Sequence, residues 1–188
     1  MNEILHNLVK SNKFYLSLTA MSLAFTLLLN FYNQISDCSL MFTFLALTLN
    51  TISALHGTKK AINSIILSVI ISFVLMWNLK YYINGELING LVLASLLSVL
   101  VSSYVGLNLL SRLRIKYNYY VSNFISLLAY AIVDGVVMSL FFINIFSLNR
   151  VVSIFTYEVA YKCIYAFIAC ICLFVASYLQ KQFKTMQN

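Results

Sequence analysis

Six apolar stretches, each long enough to cross a bilayer and each separated from the next by a short polar connector, constrain this chain more than any other feature. A helix rises about 1.5 Å per residue, so a hydrocarbon core of about 30 Å needs roughly 20 apolar residues. The runs fall at about 15–32, 39–56, 61–78, 90–110, 121–147 and 152–179. With 62% apolar and 9% charged residues over 188 positions, no soluble fold of this size could bury such a surface. The expectation is an all-α membrane protein of six transmembrane helices forming one integral membrane domain over residues 1–188. The first run is too long for the apolar core of a signal peptide and no small-residue cleavage pattern follows it, so it reads as an uncleaved first helix.

The distribution of Lys and Arg orients the bundle, because cytoplasmic loops carry the positive excess. With the N-terminus inside, Lys10, Lys13, Lys59, Lys60, Arg112, Arg114, Lys116, Lys181 and Lys184 are cytoplasmic, whereas the outer loops hold only Lys80 and Arg150. Both termini are therefore expected in the cytoplasm. The +7 net charge is read as topology and contact with anionic membrane lipid, since no continuous basic face exists for nucleic acid. Phe31, Tyr32, Trp77, Tyr81, Tyr82, Tyr117, Tyr119 and Tyr120 gather at span ends, as interfacial anchors do.

The chain contains no proline, so any bend must use glycine or serine, and Gly135 beside Asp134 is the expected irregularity in the fifth helix. On the fourth helix Ser95, Ser98, Ser102 and Gly106 recur every three or four residues, a small face suited to close helix packing.

Asp134 and Lys162 stand near the middles of the last two spans. On insertion scales each such charge costs about 2.5–3.5 kcal/mol, so the pair marks either a structural tether or a transport site. The short connection makes these helices antiparallel neighbours, and the two charges lie at similar depth. Ser126, Tyr130 and Asp134 recur at four-residue spacing, as do Glu158 and Lys162, so two polar stripes would meet in a midplane cleft. Asn50 in the second helix and Asn108 in the fourth could add neutral hydrogen-bonding groups. The candidate substrate-binding set is Asp134, Lys162, Ser126, Tyr130, Glu158 and Asn50.

No phosphate-binding glycine loop, paired-histidine metal motif or serine nucleophile elbow occurs, so neither an enzyme nor a bound metal or cofactor is expected. His6 and His56 lie at the cytoplasmic edges and read as solvated or capping residues. Cys38, Cys163, Cys170 and Cys172 make no zinc spacing and read as small packing residues.

The segment FTFLALTLNTISALHGTKKA resembles the FPLTFLISDIITEIYGYKKA pattern of the VUT family, vitamin-uptake or queuosine precursor transporters, with Phe42, Gly57, Lys59, Lys60 and Ala61 in place. LVLASLLSVLVSSYVGLNLLSRLR is similar to that family's fourth helix, and SLLAYAIVDGVVMSLFF to its fifth, retaining Ser126 and Asp134. Lys162 in YEVAYKCIYAF stands where the family has a lysine. Asn50 and Ala54 replace its acidic pair, Thr43 a proline, and Ala131 a glutamine. The resemblance implies uptake across a bacterial inner membrane of a purine-like base such as preQ0 or preQ1. Asp134 would then accept the base edge, Lys162 would orient it or contact the base carbonyl, and Tyr130 or Tyr161 would stack on it. A substrate-binding subunit with an ATPase partner, a homo-oligomer, and a non-transporting membrane assembly protein are the alternatives carried with it.

Overall fold

A computed structural model describes residues 11–32, 34–78, 82–83, 86–87 and 90–186. Six helices dominate: α1 Asn12–Phe31, α2 Ile35–His56, α3 Thr58–Met76, α4 Leu91–Leu113, α5 Tyr119–Phe142 and α6 Leu148–Met186. All six are long and apolar enough to cross a membrane. Between α3 and α4, β1 Tyr82–Ile83 and β2 Glu86–Leu87 form a two-residue antiparallel ladder, Tyr82 facing Leu87 and Ile83 facing Glu86. His6, Lys10, Lys80 and Tyr81, weighed above, lie outside the described residues, as do the side chains of Tyr82, Lys181 and Lys184.

Local chemistry sets several helix ends. The Ser11 side chain caps α1 by accepting from the Lys13 N–H at 3.2 Å. A single residue, Gly57 at φ 94°, turns α2 into α3, a left-handed conformation that side-chain-bearing residues rarely adopt. Gly90 at φ 83° opens α4 in the same way. The fifth span stops at Phe142, short of the expected 147. Residues 143–146 turn, and the Ser147 carbonyl then accepts the first N–H groups of α6, from Arg150 and Val151 at 3.0 Å. The run Ile143, Asn144, Ile145, Phe146 stays apolar enough to hide this turn from a hydropathy reading. The sixth helix starts at Leu148 and extends to Met186, beyond the expected 152–179.

α2 packs against each of the other five helices, and its Leu45, Leu49 and Ile52 form the centre of the core with Ile65 and Leu107. Polar ladders fill much of the remaining interior. Thr19 and Ser64 approach to 2.9 Å across α1 and α3, as do Ser22 and Ser68. In lipid such bonds and close van der Waals contact hold helices together, because hydrocarbon supplies no hydrophobic drive between them.

The small face of α4 is a packing seam against α5. Ser98, Ser102 and Gly106 are buried, and a Cβ at position 106 would fall 2.3 Å from the Tyr130 ring. Gly135, expected to irregularise the fifth helix, does not: α5 runs through it unbroken. Its missing side chain instead admits Phe155 and Val159 of α6, each 3.0 Å from where a Cβ would stand. The basic residues Lys59, Lys60, Arg112 and Arg114 fall at one end of the bundle, where α2 meets α3 and α4 leads to α5.

Candidate functional site

At the opposite end the helices diverge around a cavity of about 550 Å³. Its mouth is formed by Asn30 and Tyr32 at the end of α1, Ile35 at the start of α2, Leu91 of α4, and Phe146 and Arg150 around the α5–α6 turn. Its walls descend on four-residue spacing, Phe142 to Met138 to Asp134 on α5 and Arg150 to Ile154 to Glu158 to Lys162 on α6. Positions four apart lie near one another along a helix, so α5 lines the wall from apolar Phe142 and Met138 down to Asp134, and α6 from Arg150 at the mouth through Ile154 to Glu158 and Lys162. Cys38 and Phe42 of α2 complete the lower wall.

At the floor, the two intramembrane charges meet. The Lys162 ammonium donates to Asp134 Oδ2 across α5 and α6, and to Glu158 Oε1 one turn back on its own helix. It also lies 4.2 Å from the centre of the Phe42 ring, a cation–π arrangement. Asp134 is held from the other side by α4: the Ser98 hydroxyl lies 2.6 Å from Asp134 Oδ1 and 2.9 Å from the Asp134 backbone oxygen. The Ser39 hydroxyl of α2 donates to the Glu158 backbone oxygen at 3.5 Å. Four helices thus converge on one charged cluster.

A buried ammonium with a single carboxylate would be a minimal tether, since removing either partner strands a charge. Here two carboxylates share one ammonium. The side chains of Lys162 and Asp134 are 3% and 6% exposed, that of Glu158 17%, so Glu158 has the greatest access to the cavity.

The remaining residues of the expected binding set lie elsewhere. Asn50, Tyr130 and Ser126 do not line the cavity. Asn50 donates to Asn123 Oδ1 at 2.7 Å and accepts from the Tyr130 hydroxyl at 3.3 Å, a buried link between α2 and α5. Ser126 donates to the Gly106 backbone oxygen at 2.9 Å, on the α4 side of α5. The four-residue stripe drifts by about 40° per step around a helix with 3.6 residues per turn, so positions 126 and 134 face different neighbours. Tyr161, named above as a stacking ring, lies outside the cavity with its ring stacked on Tyr165. Asn108 is half-buried and bonds the Tyr104 carbonyl of its own helix at 2.9 Å. His56 Nε2 is buried with no hydrogen-bond partner, and its ring meets Tyr15 edge-on at 5.4 Å.

Several cavity residues carried little signal in the sequence. Arg150 was counted only for orientation and Cys38 only as packing. Ser98 was visible as part of a small face, but its bond to Asp134 was not. The chain matches no protein-family model, no curated protein and no solved structure.

Proposed function

We propose that this chain is a small-solute uptake transporter of a bacterial inner membrane, taking a queuosine precursor of the 7-deazaguanine type into the cell by alternating access. On this reading the basic end of the bundle and both termini face the cytoplasm, and the cavity opens outward. The observation that carries it is the cavity itself: an opening at one end of the bundle leads to a floor where Asp134, Lys162 and Glu158 bring ionisable groups together within the spans. Ionisable residues inside spans face protein or cavities and mark solute and ion pathways. The likeness of the second, fourth, fifth and sixth helices to the VUT pattern supports the choice of substrate. The rings available to stack on a base from within the cavity are Tyr32, Phe42, Phe142 and Phe146, in place of Tyr130 or Tyr161.

A second reading is supported by how well the cluster is satisfied: Ser98, Asp134, Lys162 and Glu158 bond one another, as a tether in a membrane assembly protein would. Uptake of labelled preQ0, preQ1 and queuine into cells lacking their own transporter separates the two. Saturable uptake that is lost in Asp134→Asn, which leaves Lys162 paired with Glu158, with the variant present in the membrane at normal levels, supports transport. A folded chain that moves none of these bases supports the tether.

A further inference from the structure

The hydrogen-bonding capacity at the cavity floor is unevenly spent. An ammonium has three N–H donors. Those of Lys162 are directed to Asp134, to Glu158 and toward the face of Phe42, which leaves none for a solute. Asp134 has a donor on each oxygen, Ser98 on Oδ1 and Lys162 on Oδ2. Glu158 differs. One of its oxygens accepts from Lys162, and its side chain, at 17% exposed, is the most open of the three to the cavity.

Charge points the same way. Two carboxylates face one ammonium, so with all three ionised the floor carries a surplus of one negative charge. The other groups facing Glu158 do not balance it. Cys38 of α2, Asn30 of α1 and Ser95 of α4 are neutral. Arg150 stands two turns up α6, about 12 Å away along the axis. It is solvent-exposed, with its guanidinium 4.6 Å from the Phe146 ring centre.

We propose that Glu158 is the solute-receiving group of this cavity, with Ser98, Asp134 and Lys162 as the positioning residues that hold it. The solute class is a small molecule presenting a cationic or paired N–H group, such as an amidine or amine, on an apolar or aromatic body. The cavity-facing Glu158 carboxylate accepts the N–H group, and the incoming positive charge offsets the surplus. Phe42, Met138, Phe142 and Ile154 enclose the body. Anionic solutes of the same shape are excluded by repulsion from the floor. The assignment rests on the cavity being a solute site, as in the proposed function, but not on transport occurring.

Cys38 lines the same cavity and serves as a reporter. With Cys163, Cys170 and Cys172 replaced by alanine, alkylation of Cys38 by a water-soluble maleimide is timed in the purified chain with benzamidine or benzoate present. Benzamidine should slow labelling saturably, by about ten-fold at high occupancy, and benzoate should not. Glu158→Gln should remove the benzamidine effect without lowering the melting temperature, and Glu158→Asp should keep it at a higher half-saturating concentration. No protection by benzamidine, equal protection by benzoate, or protection that survives Glu158→Gln overturns the assignment. If Glu158→Gln does not fold, the benzamidine and benzoate comparison on the parent and on Glu158→Asp decides. Glu158-dependent protection in a chain that takes up no labelled base would remove the transport reading and leave this one standing. Uptake with protection indifferent to Glu158 would do the reverse.

Discussion

Ser98 reaches from α4 to place its hydroxyl 2.6 Å from Asp134 Oδ1, so the acid that faces Lys162 on one side is fixed from the other by a neutral donor. Bonds to a charged group contribute about 1.5–3 kcal/mol, more than a neutral pair. Ser98→Ala should therefore lower the melting temperature of the purified chain in detergent. It should also weaken benzamidine protection of Cys38, because Asp134 then competes less consistently for Lys162. Ser98→Thr, which keeps the hydroxyl, should recover much of both. An unchanged melting curve for Ser98→Ala would show that the bond contributes nothing to stability.

Removing Lys162 should be the most damaging single change at the floor. Lys162→Met leaves Asp134 and Glu158 as two buried acids without their shared cation, and breaking one side of a buried ion pair costs about 3–5 kcal/mol. Adding Asp134→Asn and Glu158→Gln should restore folding while leaving binding absent. The monodisperse fraction in size-exclusion chromatography reads this directly: poor for the single variant, recovered for the triple.

Gly106→Ala should destabilise through overpacking, although alanine is the better helix former. A Cβ at that position would stand 2.3 Å from the Tyr130 ring, and overpacking costs typically about 1–3 kcal/mol. Combining it with Tyr130→Leu should recover part of the loss, measured as a non-additive pair in thermal melts. Strict additivity would rule out the contact as the cause.

The Asn50–Asn123 bond should behave as a helix clamp and not as a solute contact. Each single alanine variant should lose stability, with a coupling energy of roughly 0.6–1.7 kcal/mol in a double-mutant cycle. Asn50→Ala should leave benzamidine protection of Cys38 unchanged. A selective loss of protection at unchanged stability would return Asn50 to the binding set.

Orientation has its own test. If the basic end is cytoplasmic, a membrane-impermeant maleimide added to intact cells should label the single-cysteine chain at Cys38. Labelling only after the membrane is opened would place the cavity on the inner side.

The six spans were legible because hydropathy averages over a whole helix and tolerates errors at its ends. The meeting of Asp134 and Lys162 was legible for a related reason: a short α5–α6 connection and a count of residues fix depth without knowledge of side chains. What the sequence did not reveal was which face of α5 looks where. Ser126, Tyr130 and Asp134 form a line on paper, yet the first lies against α4, the second crosses to Asn50 of α2, and only the third reaches the cavity. The upper cavity was equally hidden, since its lining comes from the ends of several helices far apart in the chain. Arg150 and Tyr32 become neighbours of one space only through packing.

The hydroxyl ladder between α1 and α3 is bonded twice over. Thr19 reaches Ser64 but also the Tyr15 carbonyl at 3.0 Å, Ser64 reaches the Lys60 carbonyl at 3.0 Å, and Ser68 reaches the Ser64 carbonyl at 2.9 Å. Each of these hydroxyls keeps a partner on its own helix if the two helices move apart. Separation strands none of these three hydroxyls in hydrocarbon, while the Tyr15 hydroxyl gives up its bond to the Lys60 carbonyl, so the contact acts like a clutch plate: it grips when closed and disengages at about the cost of that bond. Asn30, which sits at the cavity mouth, rides on the α1 side of that clutch.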